Sequence, residues 1–312
     1  MKLKKYWEVL KESFSKFVDD NVPKLGASLS YYTVFSLAPL LIIIIAVAGF
    51  IFGTDAAQGR IYDEIESLVG KDSALLIQTA IKKSADTGAG ILATVISFVT
   101  LIIGSVTVFI ELQDSLNIIW KVKAKPAEGA IKSFLRTRFI SFTLIISIGF
   151  LLLVSLVISA GLTALGNFFS AYVPVPVFVL QVLNNLLSLA VISVLFGMIF
   201  RILPDVELSW KDVRVGSIVT ALLFVVGKYL IGLYIGGSTL GSTYGAAGSL
   251  AILLVWVFYS SQILFFGAEF TFVYAEKLGS KIMPSEHAVK VTVETVEHGK
   301  EETTAKNPDR GD

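Results

Sequence analysis

Long apolar runs, separated by short polar stretches, dominate the chain. A helix needs about 20 mostly apolar residues to cross the hydrocarbon core of a bilayer, and six runs are long enough. The charge-free run 139–200 is too long for one span, and the stretch GNFFSAYVPVP, with its glycine and prolines, divides it in two. The six predicted spans are about 30–52, 91–110, 139–165, 177–203, 213–235 and 246–274.

Two further segments have an amphipathic pattern. In residues 1–24, apolar side chains recur at helical spacing among lysines and acids: Leu3, Trp7, Leu10, Phe14, Phe17 and Val18. This predicts a helix that either lies in the inner membrane interface or packs against the cytoplasmic face of the bundle. Residues 54–89, between spans 1 and 2, predict one or two short extracytoplasmic helices. Their apolar faces need cover from the bundle or from a second subunit.

The polar segment 281–312 has few aromatic residues, and we predict that it is a disordered cytoplasmic tail. The fold class that follows is all-α. The pattern predicts a polytopic membrane protein, with a six-transmembrane-helix bundle over 25–280. An amphipathic N-terminal helix precedes the bundle, and short extracytoplasmic helices lie between spans 1 and 2.

Positive charge predicts the orientation of this bundle. Residues 1–29 and 111–138 carry six lysines or arginines each, whereas loops 166–176 and 236–245 carry none. Because lysine and arginine concentrate in short cytoplasmic loops, we predict that both termini are cytoplasmic. The loops between spans 2 and 3 and between spans 4 and 5 are then cytoplasmic as well.

Composition narrows the classes of function. The chain is 54% hydrophobic and 16% charged, with a mean hydropathy of +0.74, which is typical of a membrane protein. A net charge of +1 gives no basic field for nucleic acid, and the absence of cysteine excludes disulfides and thiolate metal sites. The only histidines, His287 and His298, lie in the polar tail. We therefore expect no metal site, no cofactor and no enzymatic activity.

One carboxylate, Glu269, lies inside the sixth predicted span, where a charged side chain is costly. Because the planar guanidinium of arginine suits a partly buried carboxylate, we expect an arginine partner, by preference Arg201. Tyr259 and Gln262 share a helix face with Glu269. The predicted inner polar cluster comprises Glu111, Asp114, Arg201, Asp205, Tyr259, Gln262 and Glu269. It suits either the wall of a transport pathway or polar contacts between helices.

A second cluster is predicted nearer the outer surface. Lys228 in the fifth span lies at the depth of polar residues in the fourth: Gln181, Asn184 and Asn185. These residues could surround the ammonium group, or Lys228 could extend to the outer headgroups instead. Lys228 and Glu269 differ in depth by more than about 10 Å in a core of about 30 Å, so we do not expect them to pair.

Two backbone features stand out in the spans. Pro39 removes a helical hydrogen bond in the first span and predicts a kink. Kinked helices recur at transporter sites, but they are also ordinary in membrane proteins. The entry to the sixth span is rich in glycines that permit close packing of helices, among them Gly241, Gly245 and Gly248.

Four stretches of the chain resemble the YihY/BrkB family of bacterial inner-membrane proteins. They are residues 25–42, 111–120, 201–224 and 244–275. The resemblance covers about residues 5–280 and implies six spans in the inner membrane. The family was once labelled ribonuclease BN, a label generally regarded as mistaken. Its molecular activity is not settled, and roles in envelope integrity and in lipid or small-solute transport have been proposed for relatives.

Two functions remain open on this basis. The first is a transporter of a lipid or another amphiphile in envelope maintenance. The second is a non-transporting membrane scaffold for envelope-assembly partners. Membrane lipids are the expected partners, with a second copy of the chain and envelope-assembly proteins as further candidates. We expect no ribonuclease activity, because the apolar body has no histidine. We expect no binding of nucleic acid, because a net charge of +1 gives no basic field.

Overall fold

The computed structural model describes residues 2–85, 107–125, 143, 147, 177–236, 246–280 and 282–292. Eight helices and four short strands lie in this part of the chain. The helices are α1 (Lys2–Asp19), α2 (Val22–Phe52), α3 (Thr54–Val69), α4 (Lys71–Ala85), α5 (107–119), α6 (Val177–Ile202), α7 (Trp210–Gly236) and α8 (Ala246–Leu278). The strands are β1 (Val122–Ala124), β2 (Val206–Glu207), β3 (Met283–Pro284) and β4 (Ala288–Lys290).

Four of the described helices are long and apolar enough to cross a membrane. The candidate spans are Val22–Ile45 in α2, Val182–Ile202 in α6, Trp210–Ile235 in α7 and Ala247–Leu278 in α8. The prediction of a mostly helical membrane protein is therefore confirmed. The predicted spans 91–110 and 139–165 lie almost entirely outside the described residues, so the count of six stays a prediction.

The spanning helices pack in the order α6, α7, α8, α2, and α1 also lies against α8. Small residues allow α7 and α8 to approach closely. A Cβ added at Gly216 of α7 would lie 1.9 Å from Oγ1 of Thr271, and one added at Gly267 of α8 would lie 2.0 Å from Oγ1 of Thr220. Each threonine hydroxyl donates a hydrogen bond within its own helix, to the carbonyl of Gly216 or Gly267, at 2.7 Å. The interface is thus tight and its hydroxyl groups are satisfied.

Helices α3 and α4 form a hairpin at one end of the bundle, which we call the hairpin end. Gly53 and Gly70, which precede these two helices, have φ of 84° and 83°, values that glycine adopts at little steric cost. The bundle itself covers their apolar faces, through a cluster with α2 and α8 that includes Leu41, Ile77, Leu253 and Val257. Helix α2 is continuous through Pro39, and the kink predicted there stays a prediction.

The opposite end carries α1 and all four strands, and we call it the strand end. β1 pairs with β4 and β2 pairs with β3, both antiparallel. One prediction is corrected here: residues 282–292 of the predicted disordered tail are ordered, whereas strands of two or three residues leave the mostly helical class as predicted. The reason is that this segment supplies backbone partners to two short loop strands and buries Ile282 and Ala288. Residues 293–312 lie outside the described part.

Helix α1 packs one face on α8 and leaves the other exposed. Val9 and Ser13 are buried, and the ring of Phe17 contacts that of Phe266 at 6.1 Å between centroids. The opposite face exposes apolar side chains, namely Trp7, Phe14 and Val18. Packing against the bundle, one of the two predicted alternatives, is therefore observed, and the exposed face leaves the membrane-interface alternative as a prediction.

Candidate functional site

The side chain of Glu269 lies in the interior of the bundle, nine residues before the end of α8 at Leu278. At a rise of 1.5 Å per residue this is roughly 14 Å along the helix. The side chain has 0% of its surface exposed. Among the described residues neither carboxylate oxygen has a hydrogen-bond partner. A buried carboxylate without donors is an expensive arrangement, because its lost hydration is not replaced.

Within the described part of the chain, the charged groups near Glu269 are Asp20, Lys121 and Lys16. Asp20 lies in the turn between α1 and α2, next to Asn21, whose φ of 52° is left-handed. Lys121 follows α5 and forms an ion pair with Oδ1 of Asp20. The other oxygen of Asp20, Oδ2, is buried and has no hydrogen-bond partner in the described part of the chain. Two carboxyl groups therefore lie side by side with unsatisfied oxygens. We call Glu269, Asp20 and Lys121 the acid-pair site.

The surrounding elements add little charge to this site. The ammonium group of Lys16 lies 5.1 Å from the ring centroid of Phe272, in a cation–π contact. Helix α7 packs on another face of α8, at Gly267 and Thr271, where it presents the uncharged residues Gly216 and Thr220. Since Lys121 already pairs with Asp20, no ion pair within the described part of the chain balances the charge of Glu269.

The end of α5 is fixed to α8 beside the acid-pair site. Trp120 is buried and its Nε1–H donates to the carbonyl of Ala268 at 3.1 Å. The next residue, Lys121, has a φ of 56°, which turns the chain out of the helix and toward β1. Trp120 therefore positions the lysine that pairs with Asp20.

A second polar group joins α5 to the loop between α6 and α7. Oδ2 of Asp205 accepts hydrogen bonds from Nδ2 of Asn117 at 2.9 Å and from Nε2 of Gln113 at 3.3 Å. The backbone N–H of Asp205 donates to Oδ1 of Asn117 at 2.9 Å. Nearby, the pKa of Asp114 is raised, first by loss of solvent around its carboxyl group and then by the charges of Glu111 and Asp205. Three predicted cluster members, Glu111, Asp114 and Asp205, are thus neighbours, apart from Glu269.

Asp212 is a buried carboxylate that the sequence analysis missed. Its Oδ2 accepts hydrogen bonds from the backbone N–H of Ser280 at 3.0 Å and from the Ser280 hydroxyl at 2.6 Å. Asp212 therefore anchors the end of α8 to the first turn of α7. The sequence does contain a signal at this position, because Ser209 and, three residues later, Asp212 match the pattern of residues that begin a helix. That pattern predicts the helix start but not the contact with Ser280.

Arg201 does not meet Glu269, which corrects the pairing expected from the sequence. Its guanidinium lies 5.9 Å from the ring centroid of Trp210, at the end of α6. The physical reason is that α7 packs between α6 and α8, so equal depth in the membrane does not bring the two side chains together. Arg201 and Trp210 instead line a cavity of about 600 Å³, together with Asp205 and Glu207.

Tyr259 and Gln262 also face different neighbours. A Cβ added at Gly26 of α2 would lie 2.0 Å from Nε2 of Gln262, and one added at Gly227 of α7 would lie 3.1 Å from the hydroxyl of Tyr259. The predicted polar face of α8 is therefore divided between two helices. Among the described residues the Gln262 amide has no hydrogen-bond partner.

The predicted outer cluster lies on α6 and α7, which pack against each other. Lys228 is half-buried, and Asn184 and Asn185 are exposed positions of α6, the helix that also carries Gln181. Their grouping around Lys228 stays a prediction. Of the predicted close-packing glycines, Gly248 is buried in the first turn of α8. Gly241 and Gly245 lie outside the described residues.

Comparison with known proteins identifies the family. A family model described as "Virulence factor BrkB" matches residues 13–291. The chain belongs to the BrkB family. The resemblance noted in the sequence is thereby confirmed.

Curated relatives within this similarity are bacterial membrane proteins. The chain is 30% identical over 279 residues to a UPF0761 membrane protein of Rhodospirillum centenum, covering 88% of this chain and 59% of the relative. It is 25% identical to one of Ralstonia nicotianae (80% and 55%) and 27% identical to one of Pseudomonas aeruginosa (81% and 59%). The chain thus spans less than two thirds of the length of these relatives. No solved structure matches the chain.

Proposed function

We propose that this BrkB-family protein transports a lipid or another amphiphile across the bacterial inner membrane, with both termini in the cytoplasm. The observation that supports the proposal is Glu269, a fully buried carboxylate without hydrogen-bond partners among the described residues of a membrane span. The contact between α7 and α8 does not use this group, because glycine–threonine packing brings these two helices together on another face of α8. Ionisable residues inside membrane spans typically mark substrate or ion pathways.

The surroundings of the site suit an amphiphilic substrate. The cavity at the strand end offers the Arg201 guanidinium beside the Trp210 ring, a combination that can contact an anionic headgroup and its apolar neighbour. Helix α1 exposes Trp7 and Phe14 at the same end. Under the predicted orientation, these groups face the cytoplasmic leaflet.

A non-transporting scaffold is the second candidate. The observation that favours it is the strand end, where β3 and β4 join the loops that follow α5 and α6 into one surface. Such a surface could bind partner proteins without any movement of the spans. In this case Glu269 would matter only for helix packing.

Transbilayer movement of fluorescent phospholipids in liposomes separates the two candidates. The full chain is reconstituted as wild type, as Glu269→Gln and as Glu286→Gln, which removes an exposed carboxylate at the same end that does not line the cavity. We expect the wild type and Glu286→Gln to move lipid. We expect Glu269→Gln to be slower by about tenfold or more, equivalent to ~1.4 kcal/mol. Wild-type movement no faster than in protein-free liposomes would contradict lipid transport and favour the scaffold.

A further inference from the structure

We propose that Glu269 and Asp20 form a proton-binding site, in which one proton is shared by the two carboxyl groups and the turn between α1 and α2 closes the site at the strand end. Only the role of this proton as the coupling ion rests on the proposed function. The binding site itself rests on the geometry of the described residues.

The acid-pair site has three buried carboxyl oxygens that need hydrogen-bond donors. Both oxygens of Glu269 and Oδ2 of Asp20 are buried acceptors without a donor among the described residues. Ionised carboxylates can only accept, whereas a protonated carboxyl group donates one hydrogen bond. A single proton on either residue therefore supplies an O–H donor that the adjacent carboxylate accepts. Hydrogen bonds of this charge-assisted kind are among the strongest in proteins.

The charges at the acid-pair site balance when one proton is bound. Among the described residues, the charged groups that act on Glu269 come from α1, the α1–α2 turn and the end of α5: Lys16, Asp20 and Lys121. Lys121 is paired with Asp20, and Lys16 lies on the ring of Phe272. Helix α7 packs on another face of α8, where its residues Gly216 and Thr220 do not titrate. On α8 itself, Lys277 pairs with Glu12 of α1. Binding one proton leaves Glu269 neutral beside a neutral ion pair.

The number of oxygen ligands indicates which cation the site suits. Calcium takes six to eight oxygen ligands, whereas the acid-pair site offers two carboxyl groups, one of which is already bound to an ammonium group. In the part of the chain that the structure describes, no group of three or more His, Cys, Asp or Glu side chains could hold a metal ion. A proton needs only the two facing oxygens.

Access of water to the site depends on the two segments that carry its carboxyl groups. Glu269 lies on a helix fixed by glycine–threonine packing and by the Trp120 hydrogen bond. Asp20 lies in a turn, and α1 is tied to the end of α8 by the partly exposed pair of Glu12 and Lys277. When the shared proton leaves to water, two adjacent carboxylates repel each other. We infer that this repulsion displaces the turn that carries Asp20 rather than α8, so proton release opens the site at the strand end.

Infrared difference spectroscopy of the full chain in liposomes tests this site directly. Spectra recorded across a pH series should show a carboxylic-acid C=O band that disappears as the pH rises. We expect Glu269→Gln to abolish the band. We expect Asp20→Asn to move its midpoint to lower pH, because Lys121 then loses its partner and stabilises ionised Glu269. Asp19→Asn, an exposed neighbour on the same helix end, is the matched control and should leave the band unchanged.

Two results would overturn the proposal: a wild type without a titrating band, or a band that persists in Glu269→Gln. Size-exclusion profiles show whether each variant is folded. If Glu269→Gln does not fold, Asp20→Asn still tests the site. Comparison with lipid movement separates the two proposals. Lipid movement without the band would leave transport intact and remove the proton site. The band without lipid movement would support the site and contradict lipid transport.

Discussion

Helix α8 buries polar groups on two faces, and the two faces differ in how the hydrogen bonds of these groups are satisfied. Toward α7, the hydroxyls of Thr271 and Thr220 bond to carbonyls of their own helices while each fills the space over a glycine of the other helix. Toward α1 and α2, Glu269 is fully buried and its oxygens lack partners among the described residues. The first face has the chemistry of helix association. The second retains an expensive group that association does not require, which is why we assign function to it.

Adding one methyl group to the α7-facing side should have the largest effect on stability. In Gly267→Ala, the new Cβ would lie 2.0 Å from Oγ1 of Thr220 and 2.8 Å from its Cβ, so the helices must separate. We expect a loss of about 3 kcal/mol in the free energy of unfolding, at the upper end of overpacking effects. Thermal unfolding in detergent measures it. Gly232→Ala, on α7 with nothing within 4 Å of the added Cβ, is the control, and equal losses in both variants would refute tight packing at Gly267.

Asp212 provides a satisfied buried carboxylate for comparison with Glu269. Asp212→Ala removes both acceptor interactions with Ser280, and we expect a loss of about 2 kcal/mol, typical of hydrogen bonds to a charged group. Ser280→Ala removes only the hydroxyl donor and should lose about half as much. Chemical denaturation followed by intrinsic fluorescence provides the measurement. An unchanged midpoint for Asp212→Ala would mean that the anchor at the end of α8 contributes nothing to stability.

Neutralising Glu269 should raise the free energy of unfolding, whereas removing the Asp212 side chain should lower it. In Glu269→Gln, the new amide can donate to the unsatisfied Oδ2 of Asp20. We expect the variant to be more stable than the wild type at alkaline pH by about 1 kcal/mol, the scale of one buried unsatisfied group. Thermal unfolding at a series of pH values measures this gain. A variant less stable than the wild type at every pH would place Glu269 among the residues that simply hold helices together.

The smallest effect should come from Asp114, which lies outside the candidate spans. Its pKa is raised by loss of solvent and by Glu111 and Asp205, so its ionised form opposes folding at neutral pH. This penalty is fully present above the folded-state pKa and disappears as the pH falls below the ordinary aspartate value of about 3.9. Asp114→Asn should therefore gain about 0.5 kcal/mol at pH 7, on the scale of partly exposed charges.

The stability gain of Asp114→Asn should vanish in acid. Thermal unfolding at pH 7 and at a pH below the ordinary aspartate pKa would test this. Lys123→Gln, at an exposed position of β1 beyond this group, is a suitable control, because it changes the local charge without relieving the repulsion. A gain for Asp114→Asn that persists in acid would assign its effect to something other than carboxylate repulsion.

Much of the architecture could be predicted because its signals are local. Span length follows from apolar run length, and the helical spacing of Trp7, Phe14 and Val18 predicted α1. The cost of burying Glu269 also made it a candidate without any structure. In contrast, strands β3 and β4 are too short to show in a pattern, since they exist only by pairing with loop segments far along the chain. The contact between Asp212 and Ser280 depends likewise on two distant helix ends.

The residue that lies beside Glu269 could not be predicted from the sequence, although the depth of Glu269 in its span could. Sequence determined the depth of this carboxylate, because depth is only a count of residues along a helix. The tertiary structure decided which neighbour it meets. The helix α7 lies between Arg201 and α8, while the α1–α2 turn brings Asp20 to the opposite face. Depth is a property of one helix, but the direction a side chain faces matters only once the other helices are packed around it.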